Sequence, residues 1–295
     1  MTAGARNILL IADDFAISEG VSEGIGQLGR AHRISGTGAL VTLERWSRDG
    51  IELANLRDDI AIGLHINLTL GAPLGPMPKL APNDTLPAIG NLIQKAVSRR
   101  LDCAEMEAEI GRQLARFADV TGHRPDFIDG HQHVHALPVI RDALIRAITT
   151  FYRDAAHKPL VRVPSDKLRA LLMRPRARSK AMLLSALSAG FRNALVAAEL
   201  PANDSFAGVT GFSSSDEDVR RDFSAALNGA ASLHLVMCHP GRPSDELAAL
   251  DPITTRRAVE LDVLNHDNAI TQHLCHPQRD AADGSINWVS LAAGS

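Results

Sequence analysis

The segment Asp129-Gly130-His131-Gln132-His133-Val134-His135 sets three histidines at alternate positions. Imidazoles at that density hold a Zn²⁺-class cation or move protons. If the stretch is extended, all three side chains share one side, and one or two of them reach a single ion. The apolar neighbours Phe127, Ile128, Val134 and Leu137 argue against an exposed histidine tract. Asp13 and Asp14 close an apolar run over residues 8–12. Adjacent carboxylates point in different directions, so one can bind a cation while the other meets water or substrate. The plainer alternative is a helix cap, with Asp14 or Ser18 starting the next element. His65, in Gly63-Leu64-His65-Ile66-Asn67-Leu68-Thr69, is either a hydrogen-bonded core histidine or a ligand, with Asn67 and Thr69 as candidates to orient it. His239, in Met237-Cys238-His239-Pro240-Gly241, is a candidate general acid or a turn histidine. Arg162 lies in an apolar stretch and, if buried, requires a carboxylate or a substrate partner. Cys238 reads as inert core rather than as a nucleophile.

The elements that position these residues alternate in type. Continuous apolar runs at 8–12, 38–43, 60–64, 127–129, 160–163 and 233–238 predict strands buried on both faces. Helical spacing is carried by Val21, Ile25 and Leu28, closed by Gly29, and by Met106, Ile110, Leu114 and Phe117, closed by Gly122. Further helices are predicted over 138–149, over 168–200 as one or two pieces, and after Asp251-Pro252, read as an N-cap with proline at the first helical position. Five prolines over 71–90 predict a long irregular loop.

Strands alternating with helices imply a mainly parallel sheet. With no internal repeat or linker, the whole of 1–295 reads as one α/β domain of (β/α) barrel type. Asp13-Asp14, His65, His131 and His239 each stand at a predicted strand end. In such a barrel all those ends open on one face, where active sites lie.

Composition narrows the classes. The 295 residues are 45% hydrophobic and 22% charged, which is ordinary for a globular chain. A net charge of -3 gives no reason to expect nucleic acid as a partner. Aromatics are 4% of the chain, too few for a long stacking groove. Three widely spaced cysteines form no disulfide framework, and no apolar run is long enough for a membrane span, so a cytoplasmic location is expected.

The order of motifs resembles the YdjC-like family of carbohydrate deacetylases (the ChbG/HpnK group). It is carried by Ala12-Asp13-Asp14-Phe15, Gly63-Leu64-His65 with Leu68-Thr69 and Gly71, the 129–135 segment, Met237-Cys238-His239-Pro240 and Glu260-Leu261-Asp262-Val263-Leu264, over about 7–275. The resemblance implies a distorted TIM-like barrel, related in site design to NodB-type deacetylases, with one divalent ion, Mg²⁺ or Zn²⁺. It implies Asp14, His65 and His131 as ligands, Asp13 as general base and His239 as candidate acid. His133, His135, Arg162 and Asn67 are left to contact substrate or support the ligands. The implied reaction removes an acetyl group from an N-acetylated sugar, an N-acetylglucosamine-type oligosaccharide or glycoconjugate, and a homodimer is expected. One departure is Ala16, where the family usually has glycine. A metal-dependent phosphohydrolase and a non-catalytic sugar-binding protein are the competing readings.

Overall fold

The computed structural model describes residues 7–165, 178–210, 213–227 and 232–293. Seven parallel strands form one curled sheet: β1 (Asn7–Phe15), β2 (Gly36–Ala39), β3 (Ala61–Ile66), β4 (Phe127–Gly130), β5 (Leu160–Val161), β6 (Ser205–Ala207) and β7 (Leu233–Cys238). Their order is β5-β4-β3-β2-β1-β7-β6. The two edge strands are stitched by a single bridge, Val161 to Ala202, and by Asn203, whose Oδ1 accepts from the Val163 amide at 2.7 Å. This curled half-barrel is the distorted barrel that the family resemblance implies.

Two cores follow from the period-2 geometry of the strands. On β1, Ile8, Leu10 and Ala12 face outward and pack under the helices. Leu9 and Ile11 face inward, where they meet Phe127, Leu160, Phe206, Leu233, Leu235 and Met237. The lower mouth is plugged by the C-terminal segment. Ile286 and Trp288 enter the inner cluster, and the Trp288 indole donates to the Asp126 carbonyl at 2.8 Å. Arg279 grips the Asp126 carboxylate beside it at 2.7 and 2.8 Å.

Several expected boundaries move. The second strand covers Gly36–Ala39 rather than 38–43, and the fifth ends at Val161. Pro252 does not start a helix. A short helix, Asp245–Leu250, precedes Asp251, and the next runs Thr255–His266. Asp251 turns inward as a salt-bridge partner instead of capping. The proline-rich loop is irregular up to Ala88, then forms the helix Ile89–Val97. Glu105 and Glu109 of the helix Cys103–Thr121 anchor it by accepting from the amides of Lys79, Leu80 and Leu74. Within 168–200 the described residues form two helices, Arg178–Leu187 and Phe191–Ala197, and 166–177 lie outside the described residues.

Candidate metal centre

Following each strand upward along its inner face explains where the polar residues come from. The inward series runs Leu9, Ile11, Asp13 on β1 and Ala61, Gly63, His65 on β3. It runs Phe127, Asp129 on β4, Leu160, Arg162 along β5, and Leu233, Leu235, Met237, His239 along β7. Strand alternation therefore lifts five polar side chains into one layer above an apolar interior. His65 and Asp13 lie in the last residues of their strands rather than after them.

Asp14 should by the same alternation point away from this layer. Between Ala12 and Phe15 the pairing of β1 with β2 gains an extra residue, because Ala12 lies opposite Thr37 and Phe15 opposite Ala39. Asp14 takes a left-handed backbone, φ 70°, and so does Ala16, φ 70°. A bulge re-aims the side chain it carries, and both carboxylates consequently line the same cavity. The left-handed turn explains why glycine suits position 16 and marks Ala16 as a strained substitute.

The ligand atoms of Asp14, His65 and His131 all lie within 4.8 Å of one another, and all three residues are buried. Asp14 Oδ1 is 2.9 Å from His131 Nδ1 and 3.4 Å from His65 Nε2. Metal–ligand distances of ~2.1 Å would separate neighbouring donor atoms by ~3.0 to 3.4 Å, so the spacing fits a small divalent ion. His65 Nδ1 donates to Asp129 Oδ1 at 2.6 Å, which leaves its Nε2 lone pair toward Asp14. Gly38 leaves room for that pair, since a Cβ there would stand 3.1 Å from Asp129 Oδ1 and 3.2 Å from His65 Nδ1.

Charges in the layer sum to a deficit a dication would fill. Arg162 binds both oxygens of Asp13 at 2.7 Å and Asp129 Oδ2 at 2.6 Å. Arg257 binds Asp14 Oδ2 at 2.5 Å and also Asp251. Four carboxylates against two guanidiniums leave a charge of −2 when the imidazoles are neutral. Burial opposes charge on His65, yet Asp129, Asp13 and the hydrogen bonds to Asp129 and Asp14 outweigh it and push the imidazole up to about 10. Burial likewise opposes ionisation of Asp14, but His131 and Arg257 hold its carboxyl well below the usual range.

The histidine segment is not extended. It folds into one tight turn, His131–Ala136, with Gln132 and His133 in the left-handed region at φ 53° and 61°. The three imidazoles therefore part company. His131 joins the ligand group, and His133 faces the cavity with its ring edge-on to Phe206, 5.6 Å between centroids. His135 is buried beneath, its Nε2 donating to the Arg162 carbonyl at 2.8 Å. Burial pushes His133 well down and His135 down to about 4, so both stay neutral. His239 also lines the cavity. Burial lowers it, while its backbone amide donates to Glu260 Oε2 at 2.6 Å. Glu260 is itself fixed by Arg256 at 2.6 Å.

Asn67 does not orient His65. Its side chain bonds Thr42, Leu70 and Thr69 and builds the turn after β3. The partner of His65 is Asp129, and Asp129, Arg257 and Glu260 are the supporting residues whose roles the spacing left unassigned. Inward alternation on β4 is the signal for Asp129. Nothing local distinguishes Arg257 from a surface arginine.

The cavity above this layer has a volume of about 380 Å³. Its floor is Asp13, Asp14, His65, His131, His133 and His239, and its walls are mainly aliphatic, from Ile89, Ile93, Leu183, Leu187 and Ile253. Cys238 points outward into the helix-side core, and burial raises its thiol well up.

Chitooligosaccharide deacetylases of Proteus mirabilis (strain HI4320) and Klebsiella pneumoniae (strain 342) are 37% and 36% identical to this chain over 135 and 136 residues. Those alignments cover 44% and 46% of the chain, and the chain spans about half the length of these relatives, 51% and 52%. A crystal structure from Enterococcus faecalis V583, described as a cellobiose-phosphate cleavage protein, superposes with a TM-score of 0.66 at 18% identity. That superposition covers 97% of this chain and 99% of the other and establishes a shared fold. The profile of YdjC-like proteins matches residues 7–272, and the chain belongs to the YdjC-like family.

Proposed function

We propose that the protein is a metal-dependent carbohydrate N-deacetylase that hydrolyses the acetamide of an N-acetylated sugar. The observation that carries this reading is the buried Asp14, His65 and His131 group, on the floor of a cavity whose fixed charges leave room for one dication. A set of two imidazoles and one carboxylate leaves positions open for water and substrate, which is the pattern of a catalytic site. An ion held there supplies Lewis acidity toward an acyl carbonyl and toward water.

The chain's own residues supply the proton transfers. Asp13 lines the cavity beside the ligand group and serves as the base that accepts a proton from the attacking water. Arg162 donates to both of its oxygens at 2.7 Å and fixes the orientation of the carboxylate. Hydrolysis breaks the C–N bond and yields acetate and a free amine, which requires a proton at the departing nitrogen. His239 lines the same cavity from the end of the strand next to β1 and is the group assigned to deliver it. His133, which stays neutral, offers a hydrogen bond to the sugar. Similarity to chitooligosaccharide deacetylases supports the amide as the bond attacked and N-acetylglucosamine-type sugars as the substrate class. Zn²⁺ and Mg²⁺ are both compatible with the donor set. No helix among the described residues is long and apolar enough to cross a membrane.

The test is acetate release from a panel of N-acetylated sugars by protein stripped with a chelator and then reloaded. Activity is expected only after Zn²⁺ or Mg²⁺ is restored, and Asp14→Asn should remain inactive, below 1% of wild type, while staying folded. Undiminished turnover by the stripped protein or by Asp14→Asn overturns the assignment.

A further inference from the structure

Arg257 is fully buried on the helix Thr255–His266, far in sequence from every proposed ligand. Its Nε donates to the Ile253 carbonyl at 3.0 Å, which fixes the guanidinium plane. From there Nη2 donates to Asp14 Oδ2 at 2.5 Å and also to Asp251. Asp14 Oδ1 is the oxygen that faces His131 and His65. One carboxylate thus divides its oxygens, one toward the ligand group and one toward a permanent cation.

We infer that Arg257 is a positioning residue that restricts Asp14 to one-oxygen coordination and ties this ligand to the cavity wall through Asp251. The inference rests on reading Asp14, His65 and His131 as a metal set. Carboxylates bind cations through one oxygen or two, and nothing in the side chain itself chooses between them. Asp14 also stands in a left-handed backbone conformation, which must be held by its surroundings. Both carboxylates meet one nitrogen, Nη2, of a rigid guanidinium whose plane is held through Nε by the Ile253 carbonyl, whereas an ammonium is a single mobile point charge. Asp251 extends the grip outward, because Asp251, Pro252 and Ile253 form part of the cavity wall. The late helix therefore supports both halves of the site, Asp14 through Arg257 and His239 through Glu260.

Arg257→Lys keeps the charge and removes the planar group anchored to the Ile253 carbonyl, so it isolates geometry from electrostatics. Co²⁺ affinity of the full chain, measured by chelator competition, is expected to weaken roughly 10- to 100-fold, the usual cost of losing a partner behind a ligand. The visible absorption of the Co²⁺-loaded variant should also weaken, as the freed second oxygen raises the coordination number. Asp251→Asn, which removes the second carboxylate on Nη2, should shift affinity in the same direction by less. A lower unfolding temperature with Co²⁺ affinity within threefold of wild type would make Arg257 a simple structural brace and overturn the inference. If Arg257→Lys does not fold, unchanged Co²⁺ affinity in Asp251→Asn overturns it instead. A wild-type protein that binds no Co²⁺ overturns the metal reading as well, so the two failures are distinguishable.

Discussion

Along β1 the inward side chains run Leu9, Ile11, Asp13, and along β7 they run Leu233, Leu235, Met237, His239. The lower members pack with Phe127, Phe206 and the plugging Trp288 into a dry interior, while the upper members meet charged neighbours and a cavity. Interior and rim share strands and period. What separates them is the environment at each end. The C-terminal segment seals the lower mouth, so apolar side chains there gain from burial. The upper mouth is left for chemistry, and its charges are tolerable only because each is paired.

Arg162 provides the severest test of the rim. Arg162→Met strands Asp13 and Asp129 without their cation, and should cost about 3–5 kcal/mol in urea unfolding besides most of the activity. A loss below ~1 kcal/mol would show that the layer does not depend on pairing. For the interior, Trp288→Ala deletes the largest side chain of the plug and should also cost about 3–5 kcal/mol. Here kcat/KM of the folded fraction should stay within a few-fold of wild type. A selective loss of activity in Trp288→Ala would break the proposed division of labour.

A smaller effect separates the two ends by pH. His135 is held down to about 4 by burial, against its ordinary 6.5. The unfolded chain binds the proton more readily, so stability from this group is complete above pH 6.5 and is lost as pH falls toward 4. The expected loss is on the order of 3 kcal/mol. Comparing urea midpoints at pH 7.5 and pH 4.5 between wild type and His135→Gln should show a shallower fall in the variant; parallel falls would remove His135 from the account. The smallest effect belongs to the bulge. Ala16→Gly relieves a left-handed alanine and should raise stability by up to about 1 kcal/mol, read as a Tm increase of a few degrees.

Much of this was legible in the residues because burial and period speak locally. The apolar run at 8–12 sits between helices and interior and so became a strand, and the strand ends gathered Asp13, His65, His131 and His239 on one rim. Even the anomaly at Ala16 marked the turn whose backbone proved left-handed. What stayed hidden depended on distant contacts. Alternating histidines over 129–135 share one side only in an extended chain, and Gln132 and His133 turn it at once. Asp251-Pro252 resembled a helix start, but Asp251 was claimed by Arg257, whose burial no local pattern announces. Asn67 stood near His65 in sequence and turned to its own loop instead.

The central claim is that the rim holds a single divalent ion on Asp14, His65 and His131. Metal content after equilibrium dialysis against Zn²⁺ tests it most directly. One ion per chain in the wild type, and none in Asp14→Asn at the same free Zn²⁺, is the predicted result. Two or more ions per chain, or full retention by Asp14→Asn, would contradict it.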